Sequence, residues 1–180
     1  EPDAGALVMP GTYSVSFSKR IDGVTIPLGE KKTFEIVVPG NSILTGQNKA
    51  TLAEFQQKVS RLQRAVSGSL QTANDIKSRL GTIKRALQET QAPADSLVRI
   101  AIGIESNING ILRALRGDAT LRSRNENSPV AINERVTRIV DDLRLSTSLP
   151  TQTQRDVYTI AGSDFKTELA KLKSLVENDL

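Results

Sequence analysis

The chain has 180 residues, 24 basic and 20 acidic side chains and a formal charge of +4, enough for one ordinary domain or a modest domain with an appendage. With no Cys and no His it has no disulfide, no thiol chemistry, and neither the commonest general base nor the commonest transition-metal ligand. Aromatic residues make up 3% and Trp is absent, so no segment interleaves arginines with stacking platforms, and nucleic acid is not an expected partner.

No apolar run reaches the length of a membrane-spanning helix. The Glu1-Pro2-Asp3 start, without an initiator Met, fits either removal of a leader or excision from a longer chain.

Residues 1–48 read as β structure. Tyr13, Val15 and Phe17 alternate with Ser14, Ser16 and Ser18, a period-two pattern with one apolar face. Lys19 to Gly23 follows, its Asp22-Gly23 pair marking a reversal. Val24 to Leu28 is a short second strand that Pro27 confines to an edge, Gly29-Glu30 turns the chain, and Thr33 to Val38 is a third strand closed by Pro39-Gly40. Three short antiparallel strands present one apolar face that must be covered. The chain holds no further strands to do so. Either that face lies on the helices or its partner strands are encoded upstream, and the expectation is the second.

From 49 to 180 the period becomes helical, and a four-helix bundle in up-down-up-down order is predicted, with helices at about 51–90, 94–116, 129–145 and 151–178. Thr51 and Glu54 fit a capping box at the first start. Leu52, Val59, Val66, Ala73, Leu80 and Leu87 then fall seven apart, with Phe55, Leu62, Ser69, Ile76 and Ile83 as the second row. Five heptads predict a helix about 60 Å long. Gly68 and Gly81 weaken it and mark either a close neighbour or a bend. Gln91 to Asp95 breaks the pattern, with Pro93 suited to a first helical turn.

The second helix carries Leu97, Ile100, Ala101, Ile104, Ile108, Ile111, Leu112 and Leu115, with Gly103 and Gly110 near that stripe. Gly117 to Ser128 reads as a polar, irregular connection. Ser128-Pro129 looks like a cap followed by a first-turn proline, opening a third helix with Ile132, Val136, Ile139, Val140 and Leu143. Thr151 and Gln154 form a second capping box, and the last helix carries Val157, Ala161, Phe165, Leu169, Leu172 and Val176. The first helix is far longer than the third, so part of it must pair elsewhere. A homodimer through its free end is one solution.

A search for chemistry finds no catalytic set, no metal site and no cofactor motif. Asp141 and Asp142 are adjacent, so on a helix they diverge by about 100°. Glu105, Asp118, Glu126, Glu134 and Glu168 are isolated carboxylates, and Glu-x-x-His pairs for a di-metal bundle cannot exist without His. No phosphate-binding G-x-x-x-x-G-K-[ST] and no G-x-S-x-G occurs, and Tyr158 fits an amphipathic rim. Arg113, Arg116, Arg122 and Arg124 cluster around the connection after the second helix, the best patch for an anionic partner, although charge complementarity at helix ends explains it more cheaply.

The stretch LVMPGTYSVSF, followed by KKTFEIVV and a long helix, resembles the C-terminal region of large exported bacterial proteins built on sialidase-like or sortilin-like β-propellers of BNR (Asp-box) repeats. Leu7, Val8, Pro10, Gly11, Thr12, Tyr13 and Val15 carry the likeness, with Phe34 to Val38 as the final strand. The resemblance implies that residues 1–48 are the C-terminal strands of an immunoglobulin- or fibronectin-like module beyond the propeller. Val38-Pro39-Gly40-Asn41-Ser42 departs from the Asp-Pro-Arg stretch usual before the helix. The resemblance implies an exported protein, periplasmic or on the cell surface, and a non-catalytic structural or interaction module whose partner is protein, including a propeller upstream. Hydrolase activity in that family rests on the propeller and would not reside here. Two alternatives remain at this point: an accessory domain lining a glycoside-hydrolase cleft with Leu121 to Ser128, and a self-associating helical adaptor.

Overall fold

The computed structural model describes residues 8–37, 46–89, 95–146 and 148–178. The chain is mainly helical, with a small antiparallel β region first. Strands β1 (Gly11–Val15) and β4 (Lys32–Ile36) pair, as do β2 (Ser18–Ile21) and β3 (Val24–Pro27). The three expected strands are thus four, nested as one long ribbon. Lys19 to Ile21, read as part of a turn, is strand β2.

The reversal falls on Asp22 and Gly23 alone, with φ of 49° and 83°. Two positive-φ residues between the paired Ile21 and Val24 match the right-handed twist of a tight hairpin. Lower down, Leu28 N–H donates to Phe17 C=O at 2.7 Å, so the ladder continues between the two halves. There residues 16–17 face residues 28–31, and the surplus on the return arm bulges the ribbon.

Helix α1 (Gly46–Glu89) is the spine. It begins before the expected capping box, so Thr51 and Glu54 lie inside it, and Glu54 instead pairs with Lys58 one turn on, at 2.6 Å. Its heptad stripe is the core: Leu52, Phe55, Val59, Val66, Ala73, Ile76 and Leu80 are buried, and so is Ser69. Helices α2 (Asp95–Arg116), α3 (Ala119–Ser123), α4 (Ile132–Leu145) and α5 (Gln152–Asn178) follow. The Pro39-Gly40 stop and the Pro93 helix start lie outside the described residues.

The expected up-down-up-down order is corrected. Lys84 meets Glu105 and Asn74 meets Arg116, which sets α2 antiparallel to the second half of α1. Helix α4 then buries Ile139 and Leu143 against Leu52, Phe55 and Val59, at the other end of α1. Helices α2 and α4 therefore descend in the same sense, one after the other, along a single long partner. The connection between them carries the chain onward along α1 instead of turning it back. At 1.5 Å per residue, 22 and 14 residues span about 33 and 21 Å against about 66 Å for the 44 of α1. This in-line pair answers the mismatch in length between the first and third helices.

Helix α5 runs back up, parallel to α1. Its Tyr158 meets Phe55 edge-to-face with centroids 5.7 Å apart, and Ala161, Phe165, Leu172 and Leu175 join the larger cluster with Val66 to Leu80 and Ala101 to Leu115. Its start is the expected capping box: Gln154 N–H donates to Thr151 Oγ1 (3.2 Å) and Thr151 N–H to Gln154 Oε1 (2.9 Å). The start expected at Ser128-Pro129 is not used. Ala131 is the N-cap of α4, extended at φ −66° and ψ 152°.

The strands stand apart from this core. Among the described residues no strand packs on a helix. A version of the chain starting at Asn48 is therefore expected to keep the melting temperature of the whole, as read by helical circular dichroism. In α1, a Cβ added at Gly68 or Gly81 meets nothing within 4 Å, so neither glycine marks a close neighbour. Gly68→Ala and Gly81→Ala should each stabilise the bundle by about 0.5–1 kcal/mol in urea titrations, since helical Ala loses less backbone entropy than Gly.

Candidate functional site

The region with the most chemistry lies where α2 hands over to α4. Gly117, at φ 85°, ends α2, and its N–H bonds Arg113 C=O at 2.8 Å. A side chain there would be strained, and its Cβ would also lie 2.8 Å from Arg122 Nη2. Asp118 then caps α3: its Oδ1 accepts from the N–H of Thr120 (2.9 Å) and Leu121 (3.3 Å), while Oδ2 pairs with Arg113 Nε at 3.0 Å. The two backbone donors are the main cause holding the Asp118 carboxyl below the usual aspartate range, with Arg113 assisting against partial desolvation.

The four arginines of the connection do different things. Arg113 serves Asp118. Arg116 Nη1 donates to Asn74 Oδ1 at 3.4 Å, Arg122 Nη2 to Arg116 C=O at 3.2 Å, and Arg124 lies 3.9 Å from Glu126. Arg116 and Arg122 share a shallow groove of about 590 Å³ with Arg138, where Glu134, Asp141 and Asp142 balance the three cations. Arg113 lines a separate cleft, and Arg124 lines neither.

That cleft, of about 820 Å³, lies between α2, α5 and the connection. Asn107, Gly110 and Ala114 form one wall, Glu168, Lys171 and Leu175 the other, and Pro129 and Val130 the lip. Glu168 Oε1 holds Lys171 Nζ at 2.7 Å. Of the isolated carboxylates, Glu105, Asp118, Glu126 and Glu168 all have cationic partners. The Lys84–Glu105 pair also holds the Glu105 carboxyl low, chiefly through its hydrogen bond. Sequence reading set Glu168 aside as isolated; its spacing from Ala161, Phe165, Leu172 and Leu175 was the signal that it belongs to the inward stripe.

No group of three or more acidic side chains suited to a metal ion occurs among the described residues, and no described helix is long and apolar enough to cross a membrane. Comparison with protein families, with curated proteins and with solved structures finds no match.

The Asp118 cap predicts a pH signature. A carboxyl held low by the fold contributes stability that is full above its unfolded value, about pH 4, and is lost as pH falls through the lower folded value. Asp118→Asn keeps the capping oxygen but removes the charge. The difference in melting temperature between the two proteins should be largest near neutrality and shrink on acidification below about pH 4.

Proposed function

We propose that this chain is a non-catalytic interaction module, a helical bundle that carries a β-ribbon whose apolar face is covered by another protein surface. One observation carries this reading. Nine of the eighteen exposed large apolar residues among those described fall within residues 8–37: Val8, Val15, Phe17, Ile21, Val24, Ile26, Leu28, Phe34 and Val37.

The register sorts them. Tyr13, Val15, Phe34 and Ile36 share one face of the β1–β4 half, opposite Thr12, Ser14, Thr33 and Glu35. Ile21, Val24 and Ile26 share one face of the β2–β3 half. Within the ribbon only Tyr13 and Phe34 stack, with centroids 6.1 Å apart, and Tyr13 Oη donates to Met9 C=O at 2.6 Å. Covering a large apolar side chain contributes about 1.5–3 kcal/mol, and a two-stranded ribbon alone is marginal in water. The ribbon's own fold leaves that driving force unused, which favours a partner that supplies a sheet.

Strands of an immunoglobulin-like module are the partner this reading favours. An exported propeller protein as parent, and a periplasmic or surface location, rest on the resemblance carried by LVMPGTYSVSF and KKTFEIVV. The self-associating adaptor has less to draw on, because the α1 stripe from Leu52 to Leu80 is used within the chain, leaving Ile83 as its exposed member. The hydrolase-accessory reading rests on Leu121 to Ser128, whose Arg122 and Arg124 bond within their own chain.

Hydrogen exchange tests the proposal. In the isolated chain the amides of β1 and β4 should exchange orders of magnitude faster than those of α1. In the full product of the gene, with whatever flanks it encodes, they should be protected. Equal exchange of the ribbon in both would sink the reading. In the isolated chain, binding of the dye ANS should fall on Phe34→Ser without loss of helical signal.

A further inference from the structure

Glu168 occupies an inward position. On α5, Ala161, Phe165, Glu168, Leu172 and Leu175 follow the four-three spacing of a core stripe, and the other four are buried. Its side chain is only 12% exposed, yet its cation, Lys171, is 59% exposed at the mouth of the cleft. Such i,i+3 pairs between a lysine in water and a carboxylate are weak and easily exchanged. The α2 wall of the cleft includes the small residues Ser106, Gly110 and Ala114. Gly110 has no side chain, and an added Cβ would meet nothing within 4 Å, so the space is open. Ile111, Val130 and Leu175 add apolar surface, and about 820 Å³ is within the range of small-molecule sites.

We propose that this cleft binds a small amphiphilic organic cation, an alkylammonium whose head group replaces Lys171 at Glu168 while its chain lies along Gly110, Ile111 and Val130. The relative depth of the charges decides the sign of the ligand. Arg113 is 64% exposed and already engaged by Asp118, and Lys171 is also at the surface. An anion would find its cations in water, where their attraction is screened. A cation reaches Glu168, 12% exposed and held among the described residues only by an exposed lysine, where a hydrogen-bonded partner counts most. Asp118 in the same cleft is 21% exposed and already held by two backbone N–H groups and Arg113. The site is independent of the ribbon and of what covers it.

The test is titration of the isotope-labelled chain with hexylammonium, with 1-hexanol and hexanoate as probes of matched length, read from amide chemical shifts. Hexylammonium should shift Gly110, Ala114 and residues 168–174, and bind about tenfold or more tighter than hexanol, as a charged hydrogen bond implies. Glu168→Gln, of the same size, should abolish that preference while keeping the spectrum of the fold. Lys171→Ala, which removes the competing cation, should tighten hexylammonium binding. Absence of shifts in the cleft, equal binding of the alcohol, or preference for hexanoate would overturn the proposal. Should Glu168→Gln fail to fold, Lys171→Ala decides alone, and unchanged or weaker binding there refutes the exchange.

Discussion

The apolar stripe of α1 is the constraint that the rest of the fold answers. A helix of 44 residues with inward positions from Leu52 to Leu80 presents far more surface than any later helix can cover. Helices of 22 and 14 residues must share it, and they can do so only if the chain between them advances along α1. Helix α5, 27 residues long, then bridges both, with Val157 and Tyr158 in the cluster beside α4 and Phe165 to Leu175 in the cluster beside α2. Helices this long draw most of their stability from such packing, because propensity alone leaves Gly68 and Gly81 as costs within α1.

The ribbon obeys different physics. Its residues alternate, so a single face gathers Tyr13, Val15, Phe34 and Ile36, but among the described residues no helix packs on that face, and Leu97, Ile100 and Val176 of the expected helical stripes are exposed as well. Hydrogen bonding along the ladder and the Asp22-Gly23 turn hold the ribbon together without burying it. The proposed interaction role draws on this difference: the bundle buries a core of its own, while the ribbon leaves its apolar residues exposed.

The helices were legible in the sequence because their signals are periodic and repeated. Seven-residue spacing identified the buried face of α1 down to Ser69, a polar residue that the stripe carries inward. Thr151 and Gln154 were legible because a capping box is local chemistry. Thr51 and Glu54 present the same pattern and are not a cap, since the helix runs past them and Glu54 finds Lys58 instead. Ser128-Pro129 likewise has the composition of a helix start. Burial of Ala131 and Ile132 places the start three residues later, a tertiary effect that no local pattern records. Topology was the larger miss. Up-down alternation assumes that each connection reverses the chain, and the polar run from Gly117 to Ser128 carried no sign that it instead translates it.

That translation also accounts for the cleft. Where α2 ends and α4 begins, no helix can be continuous, so the joint is filled by Gly117, the short capped α3 and the extended lip of Pro129 to Ala131. Helix α5 passes the joint without a break and keeps its inward period there, bringing residue 168 into a cleft whose α2 wall includes Gly110 and Ala114. An apolar residue at that point would face a gap lined by Gly110 and Ala114, and would gain little packing from it. A carboxylate is tolerated at the gap, because it pairs with Lys171 three residues on along the same helix. The charge at 168 and the small residues of α2 are thus two consequences of one joint, and the groups that line it, not the well-packed stripes on either side, are where chemistry specific to this chain can reside.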